Sequence, residues 1–335
     1  MSRPDSPGVL PARVFITGIS GFVGRALEAR FRALGCTVRG VDLRADPARE
    51  VVAGNVAAAG DWQRHAAGCE LVIHAAAVVS NAAAASLYRE VSLGSVRHAL
   101  DAALAAGATR FVQVSSIAAY GLDFDSVRDE RAPIALLSGY PYCDAKAASE
   151  HPALAAHAAG EIACTVVRPG DVYGPGSRPW VLLPLEMMRQ RQFLLPAGGR
   201  GVFSPVYIDN LVDGLVAAAT QAAGVGHIFN LTDGAGVSCR EFFGHHHRWL
   251  GRRGDPLILP TPLARAVIAT GEVVMNRLLK QGTEISAGSL AMLMRRDTYS
   301  IAKAQAQLGY APQVSLAEGM RRTGEWLRAQ RLIAR

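Results

Sequence analysis

The chain has 335 residues, of which 50% are hydrophobic and 19% are charged, and its net charge is +7 at pH 7. This size and composition exclude a disordered or fibrous protein and leave room for one large α/β unit with an added lobe. The basic residues are spread along the chain without a recognition module, so we expect no nucleic-acid partner. No apolar run reaches the roughly 18 residues of a membrane-spanning helix, so we expect no transmembrane segment.

The N-terminus and the cysteines indicate a cytoplasmic protein. Residues 1–12 are polar, contain three prolines and lack the apolar core of a signal peptide, so they predict a disordered leader. Five isolated cysteines form no C-x-x-C pair, which is typical of reduced thiols in the cytoplasm.

Short apolar strands alternate with alanine-rich helices along the first half of the chain. Six strands are predicted, at residues 13–17, 37–41, 71–74, 111–115, 164–168 and 227–231. Continuous β-branched runs separated by helices indicate a parallel sheet covered on both faces. With right-handed crossovers, this pattern predicts an α/β fold of the Rossmann type, a doubly wound parallel sheet.

Glycine and proline cluster after Arg168, where the composition of the sequence changes. Folds of this kind build their substrate sites from such loops at the strand ends. The predicted dinucleotide-binding domain comprises residues 13–170 and 206–231. The other two ranges, 171–205 and 232–330, predict a small, mostly helical C-terminal substrate lobe.

A glycine-rich turn follows the first strand and opens a helix, in the sequence TGISGFVG. Glycine lets the backbone turn sharply and approach a pyrophosphate, and the helix N-terminus offers free N–H groups to it. The spacing G-x-x-G-x-x-G on its own fits a structural turn equally well, but the strand before it and the helix after it favour a dinucleotide site. The residues expected to contact the cofactor here are Gly18, Ser20, Gly21, Phe22, Val23 and Gly24.

Asp42 ends the second strand and bears on the choice of cofactor. Its carboxylate can accept hydrogen bonds from both ribose hydroxyls of NAD and would repel the 2′-phosphate of NADP. Arg44, two residues later, would favour NADP, and a solvated aspartate at a strand end is the structural alternative. We predict NAD as the cofactor, with NADP as the alternative.

Tyr142 and Lys146 lie four residues apart on one face of a predicted helix. An ammonium beside a phenol would lower its pKa from near 10, so that Tyr142 exchanges a proton near neutrality. The Y-x-x-x-K spacing is common by chance. Ser115 and Ser116, at the end of a strand just upstream, add a hydroxyl that can hold the substrate oxygen while a nicotinamide moves hydride.

Together, these motifs resemble the extended short-chain dehydrogenase/reductases, the NAD-dependent epimerase/dehydratase-like family. The matching segments are TGISGFVG, Asp42, HAAA at 74–77, SSIAAYG at 115–121, YCDAK at 142–146 and RPGDVYGPG at 168–176. The resemblance implies that Ser116, Tyr142 and Lys146 form the catalytic set and that Lys146 also binds the nicotinamide ribose. The further cofactor contacts that it implies are Asn55, Val56, His74, Ala75, Ala76, Pro169 and Val172.

Three more features follow from the resemblance. Asn55 stands where the family usually has Asp. Ser92 stands where the family usually has Asn, and this second departure bears on the proton relay around Lys146. Two long predicted helices, at about 86–106 and 142–159, would form the dimer seam common in the family, so a homodimer is expected.

The branch of the family is suggested by departures from the sugar-nucleotide enzymes. Ile117 and Ala118 follow the catalytic serine without the acid of the dehydratases, and the segment 201–210 lacks the R-D-F pair of the epimerases. The segments at 206–214, 298–304, 308–312 and 315–320 resemble the 3β-hydroxysteroid dehydrogenase branch. This resemblance implies interconversion of a secondary alcohol and a ketone on an apolar small molecule, sterol-like or a 3-oxo acid. The alternatives are a sugar-nucleotide epimerase or reductase, and a non-catalytic cofactor-binding sensor or scaffold.

The substrate residues are predicted less sharply. They are Ser116, Asp171, Tyr173, Trp180, Met187 and Phe203, the last three equally compatible with core packing. An apolar stripe at 262–279 fits a helix packed on the core, a substrate lid or a membrane-surface contact. The run His245–His247 suggests a metal, but consecutive helical positions point apart and no acid or cysteine stands at ligand spacing, so we expect none.

Overall fold

A central sheet of seven parallel strands organises the computed structural model, which describes residues 9–79, 83–122, 126–273 and 286–334. In chain order, the strands are β1 (Arg13–Thr17), β2 (Thr37–Asp42), β3 (Val51–Ala53), β4 (Leu71–His74), β5 (Arg110–Val114), β6 (Val127–Arg128), β7 (Ala163–Pro169), β8 (Asp171–Tyr173), β9 (Leu194–Leu195), β10 (Val202–Phe203), β11 (Pro205–Tyr207), β12 (Ile228–Leu231), β13 (Val237–Ser238), β14 (Leu257–Ile258) and β15 (Thr298–Tyr299). The order in the central sheet is β12-β7-β5-β4-β1-β2-β3. After β1, the chain adds β2 and β3 on one side and then β4, β5, β7 and β12 on the other, so the direction of winding reverses between β1 and β4. Open α/β sheets bind ligands at the carboxyl ends of the strands beside such a reversal.

Helices connect the strands. They are α1 (Phe22–Ala33), α2 (Ala85–Leu87), α3 (Ser95–Ala106), α4 (Pro141–Ala158), α5 (Leu183–Arg189), α6 (Ile208–Thr220), α7 (Cys239–Trp249), α8 (Thr261–Val273), α9 (Ala287–Leu293), α10 (Ala302–Leu308) and α11 (Leu316–Ala329). A π-helical segment, Tyr88–Gly94, joins α2 to α3. Within the described ranges, no helix is long and apolar enough to cross a membrane.

Alternate residues of β1 enter two different cores. Val14 and Ile16 pack with side chains of α1 and α6, whereas Phe15 packs with side chains of α3 and α4. All three are fully buried. A strand buried on both faces is the arrangement expected for a parallel sheet with helices on either side. The predicted Rossmann-type fold is therefore confirmed.

The six predicted strands agree with the structure to within one residue at each end. The sequence does not predict β3, because the run Val51–Ala53 is too short to stand out from its surroundings. The predicted leader is tied down at its end, since the Ala12 backbone N–H donates to Glu70 Oε2 at 2.7 Å. Residues 1–8 of that leader lie outside the described residues.

The C-terminal part shares its core with the sheet. Side chains of α7 and α11 belong to the same apolar cluster as β1, and α10 packs against β12 and α6. A lobe boundary at residue 232 stays a prediction, because α10 and α11 return to the dinucleotide-binding part.

Asn210 of α6 marks where the chain leaves and rejoins the sheet. Its buried amide donates to Asp233 Oδ1 at 2.7 Å and to the Val314 carbonyl at 2.8 Å. Its oxygen accepts from the backbone N–H groups of Gln313 and Val314, each at 2.9 Å. One saturated side chain thus holds both ends of the segment 233–314.

Candidate active site

The glycine turn lies at the carboxyl end of β1. Gly18 has φ +68°, and a Cβ there would stand 2.8 Å from Ala76 Cα, so both the conformation and the close approach require glycine. A Cβ on Gly24 would stand 2.2 Å from the Gly18 carbonyl oxygen. Gly21 is exposed and precedes the first residue of α1. The N-terminus of α1 is therefore open to a ligand phosphate, as the fit of a dinucleotide requires.

A buried network supports this turn from below. Thr17 Oγ1 and His74 Nδ1 are 2.7 Å apart, and His74 Nε2 and Ser95 Oγ are 2.9 Å apart. Burial lowers the pKa of His74 to about 3, with Lys146 acting in the same direction, so the ring is neutral. His74 is 1% exposed, and both of its ring nitrogens are within hydrogen-bond distance of a hydroxyl oxygen. Its role is therefore to hold the turn in place.

Asp42 ends β2 and contacts the glycine turn. Its Oδ2 accepts from the Ser20 backbone N–H at 2.9 Å, and its Oδ1 accepts from that of Leu43 at 2.8 Å. Each carboxylate oxygen keeps further acceptor capacity. Asn55 is exposed, and its Oδ1 accepts from the Ala57 backbone N–H at 3.0 Å. The other predicted cofactor contacts are the half-buried Ser20, Phe22, Val23, Ala75, Ala76 and Val172 and the buried Val56 and Pro169.

The proposed catalytic side chains come from α4 and from the end of β5. Pro141 is the first residue of α4, a position where its missing N–H costs nothing. The helix therefore includes both Tyr142 and Lys146, which lie one helical turn apart. Ser116 caps the 3-10 turn Ile117–Tyr120, and its Oγ accepts from the Ala118 backbone N–H at 3.1 Å. Ser116 and Tyr142 line the same cleft, and Ser116 acts to lower the pKa of Tyr142.

The charges of this group differ from the sequence-based expectation. Burial raises the pKa of Tyr142 to about 12, and Ser116 opposes that rise. Burial lowers the pKa of Lys146 to about 8, with Glu150 opposing, and Lys146 Nζ donates to the Val114 carbonyl at 3.1 Å. The predicted lowering of the Tyr142 pKa by Lys146 is therefore not found here, because desolvation of the phenol dominates.

The cleft beside Ser116 and Tyr142 is lined mainly by apolar side chains of α5, α7, α8, α9 and the loops between them. They are Val79, Ile117, Ala118, Pro179, Trp180, Leu183, Pro184, Met187, Phe193, Leu194, Phe243, Ile268, Leu290, Met292 and Leu293. Asp171 and Arg295 form a buried ion pair in its wall. Burial raises the pKa of Asp171, and Arg295 opposes that rise.

The model of the NAD dependent epimerase/dehydratase family matches residues 14–232 of this chain. The chain belongs to this family. It is therefore an NAD-dependent enzyme of the extended short-chain dehydrogenase/reductase type. The predicted family and the predicted cofactor, NAD, are confirmed.

Two relatives and one solved structure illustrate the range of the family. The chain is 29% identical over 320 residues, 92% of this chain and 94% of the other, to 4-hydroxy-2-methyl-3-oxo-4-farnesyl-3,4-dihydroquinoline-1-oxide ketoreductase of Stigmatella aurantiaca. It is 25% identical over 318 residues, 90% of this chain and 86% of the other, to 3 beta-hydroxysteroid dehydrogenase/Delta 5-->4-isomerase of Mycobacterium tuberculosis. MoeE5 in complex with UDP-glucose and NAD has the same fold, with a TM-score of 0.76 at 24% identity, over 95% of this chain and 99% of that chain.

Three of the residues predicted to contact substrate share a cleft with Ser116, and two do not. Asp171, Trp180 and Met187 line the cleft with Ser116. The structure corrects two expectations, because Tyr173 and Phe203 lie in the core. Their positions follow from aromatic packing: Tyr173 meets the rings of Tyr207 and Phe242, and Phe203 stacks on Phe242 at 3.8 Å between centroids.

Arg295 is the main site residue that the sequence does not reveal. It lies 124 residues after Asp171, its ion-pair partner, and it is 2% exposed. In the sequence it belongs to an ordinary basic pair, and no local pattern distinguishes it from a solvated arginine. Phe243, Ile268 and the side chains of α9 were missed for the same reason, since long-range packing brings them to the cleft.

The described part of the predicted stripe lies on the exposed side of α8, where Leu263, Val267 and Val273 are about half exposed. The buried side of the helix carries Ala264 and Ile268 instead, which pack against Leu290, and Ile268 reaches the cleft wall. The rest of the predicted stripe, 274–279, lies outside the described residues.

The histidine run has a structural role. His246 is fully buried, and its Nε2 lies 2.8 Å from the carbonyl of Trp180, which it holds at the cleft. Among the described residues, no group of three His, Cys, Asp or Glu side chains is placed to hold a metal ion.

Ser92, the departure from the family pattern, is buried in the π-helical segment. Its Oγ accepts from the Val78 backbone N–H at 3.3 Å, which ties that segment to the chain after β4.

Proposed function

We propose that this enzyme interconverts a secondary alcohol and a ketone on an apolar substrate, sterol-like or a 3-oxo acid. The observation that carries the proposal is the cleft wall, which is mainly aliphatic and aromatic next to Ser116 and Tyr142. The cleft opens to solvent at its mouth, so a large ligand can extend out of it. The names of the ketoreductase and steroid dehydrogenase relatives support the same substrate class.

The electrostatics of the cleft disfavour the diphosphate of a sugar nucleotide. The guanidinium of Arg295 is already neutralised by Asp171. Arg178 lies at the mouth, 70% exposed and 4.0 Å from Glu186. A diphosphate would therefore meet no unpaired buried arginine among the described lining residues, and its desolvation would go uncompensated.

The proposed mechanism assigns one task to each side chain. The substrate oxygen accepts a hydrogen bond from Ser116 Oγ, and Tyr142 transfers the proton to or from that oxygen. Lys146 binds the nicotinamide ribose and contributes positive charge beside the phenol. The turn from Gly18 to Gly24 and Asp42 hold the dinucleotide. The nicotinamide cofactor, when bound, would accept the hydride in alcohol oxidation and donate it in ketone reduction.

A substrate screen at fixed NAD(H) concentration tests the proposal. Sterols, decalones and 3-oxo acids form one panel, and UDP- and dTDP-sugars form the other. We expect NADH-dependent turnover in the first panel alone. Turnover of a nucleotide sugar, with the apolar panel inert, would contradict the proposal in favour of an epimerase or reductase. NADH binding without turnover of either panel would favour the sensor or scaffold instead.

We further propose a cytoplasmic homodimer. The outward faces of α3 and α4 carry Arg97, Asp101, His151 and Ala155, which are exposed in the single chain and available for a helical seam. The five cysteines are free and buried, which supports a reducing compartment. Sedimentation at micromolar concentration tests the assembly, and a monomer there would contradict it.

A further inference from the structure

A buried carboxylate lies one helical turn beyond Lys146. Glu150 of α4 is 1% exposed, and all its hydrogen bonds are to side chains. Its Oε1 accepts from Ser115 Oγ at 2.6 Å and from Arg168 Nε at 2.8 Å, and its Oε2 accepts from Arg168 Nη2 at 2.6 Å. The pair with Arg168 is therefore two-armed, the geometry that fixes both orientation and distance.

Arg168 is held from its other side. It is 2% exposed, and its guanidinium lies 4.5 Å from the centre of the Tyr120 ring. The Tyr120 hydroxyl donates to Asn230 Oδ1 at 2.9 Å. A ring face and a carboxylate together restrict the guanidinium to one position.

Glu150 and Arg168 join the two segments that carry the proposed catalytic groups to β7, which leads to the cleft. Ser115 precedes Ser116 at the end of β5, and Arg168 lies near the end of β7, just before the cleft residue Asp171. Glu150 itself lies on the helix of Tyr142 and Lys146. A displacement of this pair would move all three segments.

We propose that Glu150 and Arg168 are a positioning pair, which aligns Ser116 with Tyr142 and Lys146 and keeps the net charge beside Lys146 near zero. Neither side chain lines the cleft, so both act through their neighbours. The inference rests on the proposed roles of Ser116 and Lys146. Buried ion pairs add little net stability compared with apolar residues of the same size, so a role in alignment is the better reason for this one.

The charge environment of Lys146 makes the pair testable. From its own helix, Lys146 faces Glu150 and the phenol of Tyr142; from β4 it faces the neutral His74. From β7, Arg168 compensates Glu150. Beyond Tyr142, Asp171 of β8 is compensated by Arg295. Removal of Glu150 alone would leave Arg168 as an uncompensated positive charge near Lys146.

The lysine content of the chain gives a direct measurement. The chain contains three lysines, Lys146, Lys280 and Lys303. Their Cε signals in protein labelled with ¹³C-lysine can be assigned with Lys280→Arg and Lys303→Arg, and titrated without substrate. We expect one resonance with a midpoint near pH 8, assigned to Lys146.

The direction in which the Lys146 midpoint shifts distinguishes a loss of charge compensation from a loosening of the structure around Lys146. In Glu150→Gln, which is close to isosteric, the Lys146 midpoint falls by about 1 pH unit or more because the compensating anion is gone. In Arg168→Gln it rises by a similar amount, and in the double variant it returns close to pH 8. A purely structural role would admit water in every variant and move every midpoint upward, toward the ordinary lysine value.

A control on the same helix separates geometry from charge. Ser149→Ala removes a buried hydroxyl that donates to the Lys146 carbonyl at 2.8 Å and changes no charge, so the midpoint stays near pH 8. If Glu150→Gln does not fold, the double variant Glu150→Gln/Arg168→Gln carries the test, because charge compensation returns its midpoint close to pH 8 whereas loosening raises it. Upward shifts in both single variants, or no shift in either, would overturn the proposal.

The same variants link the pair to catalysis once an active ketone is known. The limb of the kcat/KM pH profile that reports Lys146 should move with the NMR midpoint in each variant. If the Lys146 midpoint moves as expected but no ketone is turned over, the proposed function is wrong, and the effect of the Glu150–Arg168 pair on the charge beside Lys146 still stands.

Discussion

The cofactor turn and the substrate cleft draw their residues from very different lengths of chain. The turn and its support come from residues 17–24, Asp42 and the segment 74–76, all near the N-terminus. The cleft draws on residues from Val79 to Arg295. In the turn, glycines leave room for the cofactor to approach the backbone. In the cleft, the shape comes mainly from side chains of four helices. Cofactor binding is therefore a local property of this sequence, and substrate selection is a property of its long-range packing.

Tyr142→Phe should produce the largest effect on either region. Loss of the proton-transferring hydroxyl should lower kcat for ketone reduction about 10³-fold, because general acid catalysis contributes roughly 10²–10⁴. NADH affinity, measured by fluorescence titration, should change less than threefold. Tyr140→Phe, two residues earlier and outside the cleft lining, is the matched control. Retained turnover in Tyr142→Phe would remove the tyrosine from the mechanism.

Gly18→Ala tests the cofactor turn alone. The new Cβ would face both the left-handed backbone and Ala76 Cα at 2.8 Å, so we expect NADH affinity to fall about 100-fold. Gly35→Ala is the control, because Gly35 has φ +86° but no atom within 4 Å of its Cβ position. It should cost about 1 kcal/mol of unfolding free energy and leave NADH binding unchanged. Equal effects of both variants on NADH affinity would exclude the close approach as the cause.

Acid should destabilise both regions through buried neutral histidines. Burial lowers the pKa of His74, under the turn, to about 3 and that of His246, behind the cleft, to about 4. Below pH 6.5 the unfolded chain binds protons at these rings while the folded protein does not. Stability is complete above pH 6.5 and falls toward pH 4, by about 1 kcal/mol per pH unit for each histidine.

Urea unfolding at pH 7 and pH 5 measures this dependence. His246→Gln keeps a donor for the Trp180 carbonyl and should flatten the pH dependence by one histidine. An unchanged slope in that variant would show that His246 does not contribute to the acid sensitivity.

Met187→Ser tests the cleft alone and should have the smallest effect. A hydroxyl in the apolar wall should raise KM for apolar ketones about tenfold, through roughly 1.4 kcal/mol of lost contact. NADH affinity should not change, because Met187 lies outside the turn. Val127→Ser, at a side chain that is 69% exposed and distant from the cleft lining, is the control. A weaker NADH affinity in Met187→Ser would show that the two regions are coupled.

The contrast also explains what the sequence could predict. The strands and the glycine turn follow from continuous patterns, apolar runs and spacing, and the family motifs locate Ser116, Tyr142 and Lys146. The Asp171–Arg295 ion pair and the Glu150–Arg168 pair join residues that no local pattern relates. Tyr173 and Phe203 are aromatic residues of a kind that could equally line a pocket. Only the packing of Phe242 against both rings shows that they belong to the core.

The burial of Lys146 also escapes the sequence. The i, i+4 spacing brings Lys146 near Tyr142 along the helix, but it does not predict how far each group is withdrawn from water. Desolvation moves the pKa of Tyr142 upward and that of Lys146 downward, so the two shifts could be assigned only after the surrounding side chains were in place.

The double anchoring by Asn210 has an evolutionary consequence. The chain between residues 233 and 314 contains α7, α8 and α9, and with them much of the cleft wall. It also contains α10, which packs against β12, and its two ends meet at one side chain. A segment closed in this way can change in length and sequence while its two ends stay where they are. New substrates can then be acquired by exchanging this segment as a cassette, without disturbing the strands that bind NAD.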